Sequence, residues 1–215
     1  STVMTIHHSA AGLSQVNRSI KRTPGSQSRI VNSEVMPMTT NDILPDVLIP
    51  NLKLVICGSA VSTQSSQVGS YYAGQGNKFW KILHETGLTD RLLLTSQYRE
   101  LLHYQIGLTD VAKKAVGVDA QIQRDDYDAA AFAAKMEHFK PRVICFNGKK
   151  AAAVFRSWQI ARTVKTKEIG YGVLPQPTFQ YAPILFVAPS TSAAAGVSWN
   201  AEHWHQLAHQ VRYLT

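Results

Sequence analysis

Apolar residues fall along this chain in two rhythms. Near-continuous runs occur at Leu52-Lys53-Leu54-Val55-Ile56-Cys57, Arg142-Val143-Ile144-Cys145-Phe146 and Ile184-Leu185-Phe186-Val187. Between them apolar side chains recur every three or four positions, as in Phe79, Trp80 and Leu83, in Phe132, Met136 and Phe139, and in Trp204, Leu207 and Val211. The first rhythm predicts buried strands near 52–58, 142–146 and 184–187. The second predicts helices at 77–86, 96–104, 127–139 and 200–213, plus an Ala-rich helix opened by Asn147-Gly148-Lys149-Lys150. Gly87 is a plausible C-cap, Asn200 a fair N-cap, and Asp125, Asp126 and Asp128 suit a helix start. Ile106–Asp110 reads as a short strand-like turn. Residues 163–182, broken by Pro175 and Pro177, read as irregular or edge strand.

Strands that alternate with helices and carry no polar face predict an α/β fold. The expected form is a three-layer α/β/α sandwich around a mostly parallel central sheet. Three strands end in small polar loops, after Cys57, Phe146 and Val187, and in a parallel sheet such loops share one edge. That edge is where open α/β sheets bind ligands. The longest of the loops, residues 58–80, is rich in Ser, Gly and Gln and holds Tyr71 and Tyr72. It has neither the Lys of a phosphate-binding P-loop nor the glycine spacing of a dinucleotide loop. Aromatic faces beside backbone amides suit a flat hydrogen-bonding ligand such as a nucleobase.

Composition narrows the field. The 215 residues are 45% hydrophobic, enough for one sizeable core. No apolar run approaches the roughly 20 residues of a membrane span, and the first 30 residues lack a secretory core. Cys57 and Cys145 fall inside strands and are expected as buried thiols of a reducing compartment. The net charge of +8 favours polyanion partners. Residues 1–44 are expected to form a flexible basic arm, with Arg18, Lys21, Arg22 and Arg29 and no acid in the first 33 positions. Residues 45–215 would form the folded domain. His205 and His209 are spaced i, i+4, but no acid or thiol completes a metal set.

The region from about 45 to 213 resembles the mismatch-specific uracil-DNA and thymine-DNA glycosylases. The resemblance rests on Val55-Ile56-Cys57-Gly58, on Tyr72-Ala73-Gly74-Gln75-Gly76-Asn77-Lys78-Phe79-Trp80, on Gly107-Leu108-Thr109-Asp110, on Phe146-Asn147-Gly148-Lys149 and on Pro189-Ser190. It implies base flipping and hydrolysis of the bond between a pyrimidine and its deoxyribose, with no metal or cofactor. The implied partner is DNA carrying uracil or a mismatched base. A monomer is expected, in the cytoplasm beside the nucleoid if the source is bacterial and in the nucleus otherwise.

The departures from the family pattern are specific. Its first motif reads Gly-Ile-Asn-Pro-Gly, and the Asn holds the attacking water. Here the positions read Gly58-Ser59-Ala60-Val61-Ser62, and Ala60 cannot hold water. Ala188 replaces the Asn that opens the second motif in one branch. The duplex wedge falls near Ala193-Ala194-Ala195-Gly196, which offers no bulky plug.

Catalysis, if retained, must therefore sit elsewhere. Asp110 is the first candidate: a carboxylate there could polarise water or, when protonated, donate to a base oxygen. A helix cap or an ion pair with Lys113 or Lys114 is the competing reading. Asn77 could orient water or simply cap the helix, and Ser59 could orient water or donate to the base. The resemblance implies that Tyr72 stacks on the extruded base, with Gly58, Ser59 and Asn147 at its edge. Hydroxyls and amides at Gln64, Ser65, Ser190, Thr191 and Ser192, with Lys149, are candidate contacts to DNA phosphates. Three functions stay open. One is a monofunctional glycosylase with a relocated water-activating group. Another is a protein that binds uracil or abasic DNA without cutting. The third is a small α/β enzyme acting on free nucleotides.

Overall fold

The computed structural model describes residues 42–175 and 179–213. All but the last three residues of the expected arm lie outside these ranges. In chain order the regular elements are β1 (Leu54–Val61), α1 (Thr63–Val68), α2 (Phe79–Glu85), β2 (Ile106–Val116), α3 (Ala129–Phe139), β3 (Val143–Asn147), α4 (Lys149–Gln159), β4 (Gly172–Val173), β5 (Ile184–Ala188) and α5 (Glu202–Arg212). A ten-residue 3-10 segment, Thr95–Tyr104, stands where a helix was expected.

The sheet order is β2-β1-β3-β5-β4. Neighbours are parallel except the short edge strand β4, which runs antiparallel to β5. Successive residues of β1 go to opposite faces, as a strand requires. Leu54 and Ile56 join a core with Phe79, Trp80 and Leu83 of α2 and with Trp204 and Leu207 of α5. Val55 and Cys57 join a second core with Phe132 and Met136 of α3 and Phe155 of α4. The two cores make the fold the expected three-layer α/β sandwich. Both cysteines are buried free thiols. Among the described residues no helix is long and apolar enough to cross a membrane.

Two expectations change. Residues 58–80 are not one flexible loop. β1 continues through Gly58, Ser59 and Ala60 to Val61, and α1 follows, with the Ser62 hydroxyl accepting from the Ser65 amide and Gly69 closing it in the left-handed region. Ile106–Asp110 is not a turn but the start of an 11-residue strand. Thr109, Asp110, Lys113 and Lys114 break its apolar run, which an edge strand tolerates. Gly107 is needed there, because a Cβ would lie 2.6 Å from both Leu52 Cδ1 and the Val47 carbonyl.

Helix ends follow local chemistry. Asp128 caps α3 by accepting from the Ala131 amide. Asn200 accepts the Glu202 amide at the start of α5. The Trp204 indole donates to the Pro189 carbonyl at 3.0 Å and so ties α5 to the tip of β5.

Candidate active site

At the carboxyl ends of β1, β3 and β5 lies a cleft of about 670 Å³. Every residue proposed from the sequence for catalysis, base binding or phosphate contact except Gln64 lines it, including Tyr72, Asp110 and Ser190 from three separate segments. Parallel strands bring these tips together because each crossover helix returns the chain to the same starting edge.

Asp110 sits inside β2, paired in register with Gly58 of β1. It is only 3% exposed. A Cβ on residue 58 would lie 2.3 Å from Asp110 Oδ1, so the glycine makes room for the carboxyl group. The second oxygen, Oδ2, is buried with no hydrogen-bond partner among the described residues. Burial is the main reason the carboxyl group is pushed up to about 6; Asp46 adds to the rise, while Lys113, Lys135 and the nearby Tyr71 hydroxyl oppose it. A carboxyl group with one bare oxygen, in a cleft and half-titrated near pH 6, is suited to proton or water chemistry.

Tyr72 takes a positive φ of 53°, unusual for a residue with a side chain. Its ring stacks on Phe79, centroids 3.8 Å apart and planes 21° from parallel. One face is therefore occupied, and only the other is left for a ligand. Its hydroxyl has no hydrogen-bond partner among the described residues. Burial, followed by the nearby Asp110, pushes this phenol well up. The Asn147 amide lies close enough to offset part of that rise. Tyr71 is buried as well, and its hydroxyl accepts from Lys113 Nζ at 3.0 Å.

The other expected residues are placed as follows. Asn77 Oδ1 accepts the Phe79 amide at 3.0 Å and so caps α2, which leaves the NH2 group and a second lone pair for a ligand. Ser59 and Ala60 are half-buried in the cleft wall. Asn147 clamps the tip of β5: its amide donates to Thr191 Oγ1 at 2.9 Å and accepts the Thr191 amide at 3.0 Å. Thr191 is 0% exposed and Ser65 3%. The Ser65 hydroxyl accepts from Ser62 Oγ and from the Ala73 amide. The hydroxyls of Thr191 and Ser65 thus hold the loops in shape and are turned away from a phosphate approaching over the surface. Ser190 and Ser192 remain half-buried at the cleft. Gln64 is exposed, outside the lining, with Oε1 accepting the Gln75 amide.

Sequence reasoning missed one wall of the cleft and one side chain at its rim. Lys150, Lys167 and Tyr171 join Lys149 in the lining, with Lys149 Nζ 4.3 Å from the Tyr171 ring centroid. Scattered over a helix start and an irregular loop, they gave no linear signal. Val197 is fully exposed on the 3-10 turn Ala193–Ser198, next to the kink at Gly196 and beside Ala195 and Ser198 of the lining. His205 and His209 stay on the solvent face of α5, and among the described residues no group of His, Cys, Asp and Glu is placed to hold a metal ion.

The fold and the sequence both match known proteins. The chain is similar over 79% of its length to a candidate uracil DNA glycosylase from Methanosarcina acetivorans whose solution NMR structure is known; the match has 25% identity and a TM-score of 0.53 and spans 97% of that chain. Residues 45–208 match the sequence profile of the Uracil DNA glycosylase superfamily, and on that match this chain belongs to the superfamily.

Proposed function

We propose that this chain is a monofunctional DNA glycosylase of the mismatch-specific type. It takes a uracil, or another deaminated or mismatched base, out of the DNA stack and hydrolyses its N-glycosidic bond with Asp110 in place of the missing Asn. The observation that carries this reading is the buried Asp110 carboxyl group in the cleft wall, with Oδ1 packed against Gly58 and Oδ2 without a hydrogen-bond partner among the described residues.

The base must leave the stack before its sugar bond can be reached. As the bond breaks, the base departs as an anion and the sugar becomes oxocarbenium-like. With its midpoint near 6, Asp110 is mostly ionised at neutral pH. An ionised carboxylate steadies the cationic sugar and holds a water for attack. The free face of Tyr72 takes the base, the backbone around Gly58 and Ser59 meets its oxygens, and the Asn77 amide offers a second hold on the water. Lys149 at the start of α4, with Ser190 and Ser192, meets the flanking phosphates. Val197 is the apolar side chain positioned to enter the gap that the base leaves.

Labelled oligonucleotides carrying uracil, single-stranded or opposite A or G, are incubated with the protein and then treated with alkali. Strand breaks that depend on Asp110 are the expected result; no break in any context overturns the enzyme reading. Ala60, which cannot hold water, favours a second reading in which the protein recognises the lesion without cutting. Tight binding to uracil or abasic DNA with no base release is its signature. Competition by free nucleotides, with no effect of DNA length, would instead mark an enzyme of free nucleotides.

A further inference from the structure

The segments that follow β2 and β3 carry charge of opposite sign, a difference the proposed chemistry does not use. The sheet order places the tip of β1, with Gly58, between those two strands. On the β3 side, residues 148–171 hold six basic side chains, Lys149, Lys150, Arg156, Arg162, Lys165 and Lys167, against one acid, Glu168. On the β2 side, residues 117–128 hold Asp119, Asp125, Asp126 and Asp128 against Arg124. Lys149, Lys150 and Lys167 line the cleft from the first segment, and Asp119 from the second.

The basic side is not neutralised from within. Glu168 is engaged by Arg162 at 3.3 Å and accepts the Lys165 amide at 2.7 Å, so it does not cancel Lys167. Neither Lys149 nor Lys167 takes part in the ion pairs formed among the described residues. The Lys149 ammonium group lies 4.3 Å from the Tyr171 ring centroid, a contact that holds it at the cleft. Lys150 marks the border between the two sides, with Nζ 5.3 Å from the Tyr127 ring. The acidic side is held in place as well. Asp119 is exposed in a closed turn, where the Gln121 amide donates to the Val118 carbonyl at 2.8 Å and Gln121 Oε1 accepts the Val118 amide at 3.1 Å. The Gly117 amide ties this turn to the Val61 carbonyl at the end of β1 at 3.0 Å.

A duplex presents two phosphate backbones, one on each side of the groove, and both attract Lys and Arg. A cleft with one basic side suits one backbone, as in proteins that hold single strands. We propose that this cleft grips the damaged strand alone: its phosphates run along Lys149 and Lys167, and the fixed carboxylate of Asp119 keeps the phosphates of a partner strand away. The substrate class is then DNA whose damaged base is unpaired, single-stranded DNA first and weakly paired mismatches next. The partner strand matters only through the energy needed to pull the base out of the stack, which is least for a base already unpaired. The inference rests on the reading of the cleft as the site that takes a DNA base.

The probe is an oligonucleotide with one reduced abasic site, which cannot be cut, used single-stranded and annealed to its complement. Dissociation constants are measured over a range of salt for wild type, Lys167→Ala and Asp119→Lys. Wild type is expected to bind the single strand at least as tightly as the duplex. Lys167→Ala should weaken single-strand binding a few-fold and make its salt dependence shallower by about 0.7 of a unit of slope. Asp119→Lys should strengthen duplex binding about 3- to 10-fold more than single-strand binding. Tighter binding of the duplex by wild type, or an unchanged ratio of the two affinities in Asp119→Lys, overturns the inference. Uracil release from matching single-stranded and duplex substrates is followed in parallel. Binding as expected with no release sustains the inference and defeats the glycosylase reading; release with binding that favours the duplex does the reverse. Failure to bind either probe removes both. Should Asp119→Lys not fold, Asp119→Asn carries the test, with a smaller change of the same sign.

Discussion

Two aspartates, Asp110 buried in the cleft wall and Asp46 half-buried beside β2, are treated in opposite ways. Asp46 has both oxygens engaged by two lysines and a threonine hydroxyl, and the lysines hold it below the usual carboxylate range although burial pushes the other way. Asp110 has one oxygen bare, and burial holds it above that range. A charge that only supports the fold has to be paired, because an unpaired ion in a low-dielectric interior is costly. A charge that must act on a ligand is left partly unpaired, and the rest of the structure carries that strain. On the proposed reading of Asp110, the contrast separates a supporting from an acting group without reference to sequence motifs.

The sharpest way to break the comparison is Asp110→Asn. Base release measured in single turnover is expected to fall by about 10²- to 10⁴-fold, while binding to uracil-containing DNA persists. The same variant is expected to unfold at higher urea. A folded-state value near 6 against an ordinary 3.8 means that Asp110 favours folding fully below pH 3.8 and loses that contribution as pH rises to about 6. The gain in the variant, roughly 1–3 kcal/mol at pH 7.5, therefore vanishes near pH 3. A variant no more stable than wild type at neutral pH would show that Asp110 is not strained.

Asp46→Asn tests the opposite member. It leaves two buried ammonium groups without their acid and is expected to cost about 3–5 kcal/mol in denaturant unfolding at pH 7. The folded value of Asp46 is lowered, so its contribution is present above pH 3.8 and is lost as pH falls below it. Acid should thus narrow the gap between this variant and wild type.

Gly58→Ala acts on the geometry alone. The new methyl would displace the Asp110 carboxyl group, and an error of this size at a reacting group costs on the order of 10²-fold in rate. In an Asp110→Ala background the same substitution should do almost nothing, and a double-mutant cycle reads the difference. Lys149→Ala is the mildest change. DNA binding should weaken a few-fold, with a salt dependence shallower by about one unit of slope, and the pH profile of base release should not move.

Local pattern carried much of this in advance. Unbroken apolar runs at Val55–Cys57 and Ile144–Phe146 can only be strands covered on both faces, so the layered α/β arrangement was legible from them. Candidate residues at strand ends were legible too, since parallel strands share one ligand-binding edge. The length of β2 was not, because the pairing of Asp110 with Gly58 and of Ala112 with Ala60 is supplied by a neighbour about 50 residues away in the chain. The inward turn of Ser65 and Thr191 was hidden for the same reason. A hydroxyl in a polar loop looks identical whether it faces a phosphate or the Ala73 amide.

From the order of its residues alone, this chain determines where strands and helices begin, which faces they bury, and that no Asn stands at position 60 to hold a water. Those features depend on neighbours within a few positions. Which carboxylate is tied up and which is left bare was decided in three dimensions. Asp46, Tyr71, Lys113 and Lys135 come from four separate stretches, and the energy of an ion depends on what surrounds it in space.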